Sequence, residues 1–436
     1  MKRRSLSYWV LYGFLTLVLV NTTTVAMANT TVDEAQLFSE TDSIVEESAY
    51  VKETVDDELK EKRIGLSGEI KSDMSSWQYD QKYDWLGTGD KSKNSETVII
   101  TDFLIDIRLE DGVKSFIDLE LIYIPDKLKD EEFDINIKEL FIDNNWQNKV
   151  YFRNGKQVLK WGRCYFWNPT DLINIDKKDF FDLDKRREGV YGTKIHIPSG
   201  ATRNTYFFIG MDDEDGTDEQ SFASKYEFLV GKTEMAFSAW YKKDYEPVFG
   251  FDFSSRIGSV DVRGEISLSD GDNFYKMNEK TFVLEKEADW IPRVSLGFTK
   301  FFDHGDIKDR FRLTGEIYYN GNGYTDNIFE IIDTLAPAAK TTFIEQVYQP
   351  YSNSKYYVGV FTTVKKFLVS DLNLSVNAIM NLVDNSVSIS SGLNYRPLLK
   401  DYEIELKLNS NIGSDYSEAT FSGNPYHIYL GTTYWF

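Results

Sequence analysis

Residues 163–189 read RCYFWNPTDLINIDKKDFFDLDKRREG and carry both signs of charge at close spacing. Asp176, Asp179, Asp182 and Asp184 lie among Lys177, Lys178, Lys185, Arg186 and Arg187, with Glu188 at the end. Opposed clusters of fixed charge across a narrow aqueous gap set up a transverse field, which orders water and orients dipolar solutes. Tyr165, Phe166, Trp167, Phe180 and Phe181 either line that gap as a slide for sugars or pack the segment against a wall. The blander alternative leaves the charges solvated and the rings as anchors. Asn168–Asp171 (NPTD) is expected to be a turn, with Pro169 fixing φ and Asp171 free to bond nearby backbone.

Covalent chemistry has little to stand on. Nucleophilic catalysis needs a base held beside an activated hydroxyl, thiol or water. His196, His304 and His427 have no motif around them, and Cys164 reads as an inert loop residue. The acidic stretch MDDEDGTDEQ (211–220) lacks the ligand spacing of a calcium loop. No cysteine–histidine pairs at metal spacing, phosphate loops or nucleotide motifs are present. No cofactor, metal or enzymatic activity is expected.

The elements that would position these charges alternate with period two. TVIITDFLIDIRLEDG sets Ile99, Thr101, Phe103, Ile105 and Ile107 against Ile100, Asp102, Leu104, Asp106 and Arg108. VDVRGEIS places Asp261, Arg263 and Glu265 on one face, and DRFRLTGEIYY places Arg310, Arg312 and Glu316. YEIELKLNSN sets Tyr402, Ile404, Leu406 and Leu408 against Glu403, Glu405, Lys407 and Asn409. An amphipathic helix needs apolar spacings of three and four, which these segments lack.

Eighteen such segments begin near 64, 97, 114, 135, 149, 190, 203, 223, 235, 248, 260, 291, 310, 356, 372, 387, 402 and 426. Their connections alternate. EDGV, NNWQN, PSGAT, GKTE, IGS, DHGDIKD, FLVSD and PLLKD are short. The others are mostly longer or more polar, KKDYEP and LVDNS excepted. A soluble sandwich has no reason to sort long and short connections. A transmembrane barrel does, with tight periplasmic turns and free extracellular loops. The expected fold is therefore all-β: a transmembrane antiparallel β-barrel of about 18 strands over residues 63–436. Residues 163–189 become its third extracellular loop.

The two ends agree. Lys2, Arg3 and Arg4, an apolar run from Tyr8 to Val20 and AMA before Asn29 read as a signal peptide spanning 1–28. Residues 29–62 are acidic and weakly patterned, and read as a periplasmic leader, with a short plug or partner-binding helix as the sharper option. The last segment ends on Tyr434 and Phe436, as expected of a signal read by the outer-membrane assembly machinery. Aromatics make up 15% of a chain whose mean hydropathy is −0.40, the balance expected when only alternate residues face lipid. The net charge of −21 disfavours nucleic acid as a partner.

Residues 153–192 carry Gly155, Lys156, Gln157, Trp161 and Gly162, then Asn168, Pro169 and Asp171, then Arg187, Glu188 and Gly189. This pattern resembles the G-[RK]-Q-x-[LIV]-x-W-G…N-P-x-D…R-E-G run of porin-like outer-membrane barrels related to the alginate-export type. The resemblance covers about 40 residues and implies an 18-stranded monomeric barrel, with no solute attached. An arginine-lined lumen for a polyanion does not transfer, because the polar faces here mix Asp and Glu with Lys and Arg.

The expected function is a porin-like outer-membrane channel for passive diffusion of small hydrophilic solutes or ions. An inward-folded third loop would set its selectivity. Asp102, Asp106, Asp118, Glu120, Glu403 and Glu405 would line the lumen and favour cations, offset by Arg108, Arg263, Arg310 and Arg312. Its partners would be the solutes, the membrane lipids and the assembly machinery. The alternative is a closed structural or adhesive barrel acting through loops 269–290 and 320–355, whose apolar IFEII and TLAPAA could form a short helix or cover the mouth.

Overall fold

The computed structural model describes residues 64–78, 95–108, 113–125, 132–173, 186–212, 219–397, 400–421 and 425–436. Residues 1–62, where a signal peptide and leader are expected, Asp176 to Lys185, Phe180 and Phe181 among them, and the centre of the acidic loop (213–218) lie outside the described residues.

Strands run β1 (Ile64–Gln78), β2 (Ser95–Arg108), β3 (Lys114–Tyr123), β4 (Phe133–Trp146), β5 (Val150–Gln157) and β6 (Val190–Pro198). They continue as β7 (Arg203–Asp212), β8 (Glu219–Val230), β9 (Thr233–Lys242), β10 (Val248–Ile257) and β11 (Val260–Asp270). A small hairpin, β12 (Lys276–Met277) with β13 (Leu284–Glu285), stands apart from the main sheet. The wall resumes with β14 (Trp290–His304), β15 (Ile307–Asn320), β16 (Tyr356–Val364), β17 (Leu372–Asn381), β18 (Val387–Tyr395), β19 (Tyr402–Ile412) and β20 (Tyr426–Trp435). Excluding the small hairpin, these form one 18-stranded antiparallel sheet, which closes where β1 pairs with β20. Each of the eighteen expected starts falls within four residues of an observed one.

Alternation decides which way each side chain points, because neighbours across an antiparallel pair share a face. Glu69, Asp102 and Glu120 are successive cross-strand partners on the inner face. Ile70, Leu406, Leu430 and Ile428 are exposed on the outer face, where lipid would cover them. Several of the short connections are tight two-residue turns, among them those after Val230 and Ile257. Gly231 and Gly258 each open a two-residue turn at positive φ (65° and 63°), which a side chain would strain.

At the other end the connection 321–355 folds into α1 (Ile328–Asp333) and α2 (Pro337–Gln346). The Asn327 side chain caps α1 by accepting from the Phe329 N–H. The short helix anticipated for IFEII is thus present. These helices bury Ile328, Phe329, Ile332 and Phe343 against Met277 and Tyr324, with Tyr348 and Phe421 packed alongside. Three long connections (271–289, 321–355 and 413–425) therefore share one apolar core.

Candidate functional site

The wall strand β5 stops at Gln157 after eight residues, and the chain turns into the barrel. Leu159 and Trp161 bury against Ile173, Val190, Phe208 and Ala223, while Lys225 Nζ on β8 donates to the Trp161 carbonyl at 2.8 Å. Residues 163–170 then lie along β10, β11, β14 and β15. The described start of the third loop thus folds inward.

Two wall carboxylates hold it there. Glu265 on β11 accepts the N–H groups of Arg163 and Cys164 (2.5 Å each) and of Thr170 (3.1 Å), together with Asn168 Nδ2 and Thr170 Oγ1. Glu316 on β15 accepts the N–H groups of Tyr165 and Trp167 (2.7 Å each) and of Phe166, with Ser295 Oγ beside them. Successive backbone N–H groups turned to one side form an anion-binding concavity. Here the anions belong to the protein's own wall. Both carboxylates are almost fully buried under the loop, at 0% and 2% exposure.

The loop aromatics complete the anchor. Trp167 stacks on Tyr318 with its ring nearly parallel (5.5 Å, 4°) and donates Nε1 to the Tyr351 carbonyl. Phe166 stacks on Phe361. These rings pack against the wall, the anchoring alternative of the two readings. Asp171 N–H bonds the Asn168 carbonyl at 3.0 Å, so NPTD is a turn, and the Asp171 carboxylate takes Arg187 (2.8 Å). The Cys164 thiol is buried beside Glu265 and Glu316, and burial above all pushes its pKa far up, which suits an inert residue.

Two loop arginines enter acidic patches on different stretches of wall. Arg163 meets Asp252, Glu234 (2.6 Å) and Glu227 (3.3 Å), and Lys225 shares Glu227 and Asp252. Its guanidinium is held above its already high ordinary pKa: burial opposes the charge, but those carboxylates outweigh it. Arg186 meets Asp118 at 3.1 Å, Asp102 at 3.8 Å and Glu69 at 3.9 Å.

The remaining candidates are dispersed. Asp106 pairs with Arg108 at 3.4 Å on the inner face. Arg263 donates to the Arg163 carbonyl, and Arg312 lies 4.6 Å from the Tyr165 ring centre. Glu188 bonds Lys156, whose cross-strand partners Leu140 and Tyr191 are exposed on the outer face, so this residue stands apart from the lumen group. Asp176, Asp179, Asp182, Asp184 and Lys185 lie outside the described residues. Glu265 and Glu316 were legible as inner-face residues; their hold on the loop was not. Arg163, Asp252, Glu227 and Lys225 carried no signal beyond charge.

His196 bonds Asn204 and stacks on Tyr206, a structural role. Tyr434 and Phe436 are exposed on the outer face, and the Phe436 backbone exchanges two 3.0 Å hydrogen bonds with Gly68.

The capping loops are tied to the wall by Glu418, fully buried between β19 and β20. It accepts from Tyr351 N–H (2.8 Å), Tyr357 Oη (2.9 Å) and Asn381 Nδ2 (2.9 Å). Burial, then the nearby Asp384, push its carboxyl up to about 7, against the pull of those donors. A carboxyl raised on folding gives stability that is full below its ordinary value of 4.5 and lost as pH rises through about 7. Hydrogen exchange in 349–355 and 413–421, corrected for intrinsic rates, is therefore expected to quicken between about pH 5 and about pH 8. Glu418→Gln should flatten that rise; an unchanged rise in the variant would contradict the assignment.

No family model matches the chain, and no curated protein does. Solved structures do. Pseudomonas aeruginosa OccK8 (OprE) is similar at TM-score 0.56 and 9% identity, covering 86% of this chain and 98% of its own. Acinetobacter baumannii OccAB1 gives 0.55 and 10%, covering 86% and 96%. Pseudomonas aeruginosa OccK2 (OpdF), solved in complex with glucuronate, gives 0.52 and 11%, covering 85% and 97%. The alginate-export resemblance of 153–192 gains no support from a family match. The coarser expectation stands: this chain has the closed 18-stranded antiparallel fold of the Occ outer-membrane channels.

Proposed function

We propose that the protein is a water-filled outer-membrane channel for passive diffusion of small hydrophilic solutes or ions. Its selectivity is set where loop 158–189 narrows the lumen. One observation carries this reading: a loop that leaves the wall at Gln157 is fixed inside the barrel by Glu265 and Glu316. A closed structural barrel needs no such internal partition. The charged groups left around the loop, Arg163 and Arg186 with their carboxylates, supply the electrostatic filter. No step of this mechanism is catalytic.

The glucuronate of the OccK2 structure is an anion, and this chain's inner face offers more carboxylates than that solute would favour. The signal peptide at 1–28 would deliver the chain, and Tyr434 and Phe436 would present it to the assembly machinery. The closed-barrel alternative rests on the apolar cap built from α1 and α2.

Liposome swelling separates the two. Vesicles carrying the folded protein should swell in iso-osmotic arabinose, and progressively less in glucose, sucrose and raffinose. Vesicles with folded protein that stay rigid in all four sugars would favour the closed barrel.

A further inference from the structure

The Arg163 and Arg186 sites differ in one respect that bears on the solute. Around Arg163 each guanidinium nitrogen faces a carboxylate, Asp252, Glu234 or Glu227, and Lys225 adds a second cation 3.4 Å from Asp252 Oδ2. Around Arg186 the excess of carboxylates is larger. Glu69, Asp102, Asp118 and Glu120 come from three adjacent strands, and among the described residues the cations facing them are Arg186 and Lys138, the latter 2.9 Å from Glu120. Asp102 and Asp118 are 4% and 3% exposed, yet Oδ1 of each has no hydrogen-bond partner among the described residues.

A buried carboxylate oxygen without a donor is costly, and such atoms in native proteins call for a ligand, an ion or a water. Two of them stand side by side here. Asp102 pairs with Glu120 across β2 and β3, and Asp118 with Leu104, so the two aspartates are diagonal neighbours on the inner face. Arg186 already spans their Oδ2 atoms with one guanidinium. The free Oδ1 atoms repeat the demand that Arg186 meets. No group of three or more His, Cys, Asp or Glu among the described residues is arranged to hold a metal ion. A planar, weakly hydrated cation with several N–H donors suits the pair better than a bare divalent ion.

We propose that Asp102 and Asp118, flanked by Glu69 and Glu120, form a binding station for organic cations bearing guanidinium or ammonium groups. Arg186 is the resident cation beside which the solute's own cation docks. This rests on the channel reading and names the solute class that the channel would favour.

Agmatine is the probe, tested first by calorimetry on detergent-folded full-length mature protein. Wild type should bind it, and Asp102→Asn/Asp118→Asn should bind at least roughly tenfold more weakly, the loss of about one buried charge pair. The single variants Asp102→Asn and Asp118→Asn guard against misfolding of the double and should each weaken binding. Glu330→Gln, the same change of charge on α1, should leave it unaltered. Equal affinity in wild type and the aspartate variants, or no binding by folded wild type, would overturn the station. Agmatine should also interrupt wild-type single-channel current. Specific binding by a protein that passes no current would overturn the channel reading while leaving the station in place.

Discussion

Removing both loop-pinning carboxylates, as Glu265→Ala/Glu316→Ala, is expected to raise single-channel conductance severalfold and to make the open level noisy. Together Glu265 and Glu316 accept the N–H groups of Arg163 through Trp167 and of Thr170, so the double variant strands six backbone donors. Each buried donor left unpaired costs about 1–3 kcal/mol, more than the stacking of Phe166 and Trp167 readily offsets. The loop should then leave the wall, and the lumen should widen to the strands. Planar-bilayer recording of wild type, each single variant and the double variant measures this directly. Stepwise increases would show that each carboxylate carries part of the restraint. A double variant with wild-type conductance would mean that the loop does not limit the current. The folded barrel itself should persist, because its closure depends on β1 and β20, far from the loop anchor in the strand order.

Deleting Phe436 alone should reduce the amount of assembled protein in the outer membrane by an order of magnitude or more. Its N–H and carbonyl both bond Gly68, its ring lies across that glycine, and Phe103 meets it edge-on at 5.9 Å. The ring thus covers a gap at the seam that closes the barrel, as aromatics do over strand glycines. It is also the residue expected to be read during assembly. Phe436→Leu separates these roles: it retains the seam's backbone bonds and apolar cover but lacks an aromatic terminus. Heat-modifiable mobility of outer-membrane fractions reports the outcome. Normal levels of the deletion variant would remove Phe436 from both roles.

The fold was legible because its determinant is local. Period-two alternation, such as Ile99 to Ile107 against Asp102 and Asp106, fixes which face each residue takes, and each strand repeats that information independently. The distribution of long and short connections then fixes the ends. The site was only half legible. Asp102, Arg263 and Arg312 could be placed on the inner face by parity, and Arg186 in the inward loop by position. What could not be read was why the loop stays inside. The groups that Glu265 and Glu316 bind are backbone N–H groups about 100 and 150 residues away in sequence, and a backbone donor leaves no mark on residue identity. Glu188 shows the converse: its charge matched its neighbours, but the chain regains the wall at Gly189, where its N–H bonds the Lys138 carbonyl, and Glu188 turns to Lys156. Glu418 escaped notice because its setting is assembled from several separate segments.

The most direct test of the account is the reversal potential of the wild-type channel in a planar bilayer under a potassium chloride gradient. Carboxylates outnumber cations around Arg163 and around Arg186 alike, so the account predicts stable open steps whose conductance rises with salt and whose potential has the sign of cation selectivity. Anion selectivity would contradict the electrostatic account, and silence from protein shown to be fully folded would contradict the channel itself.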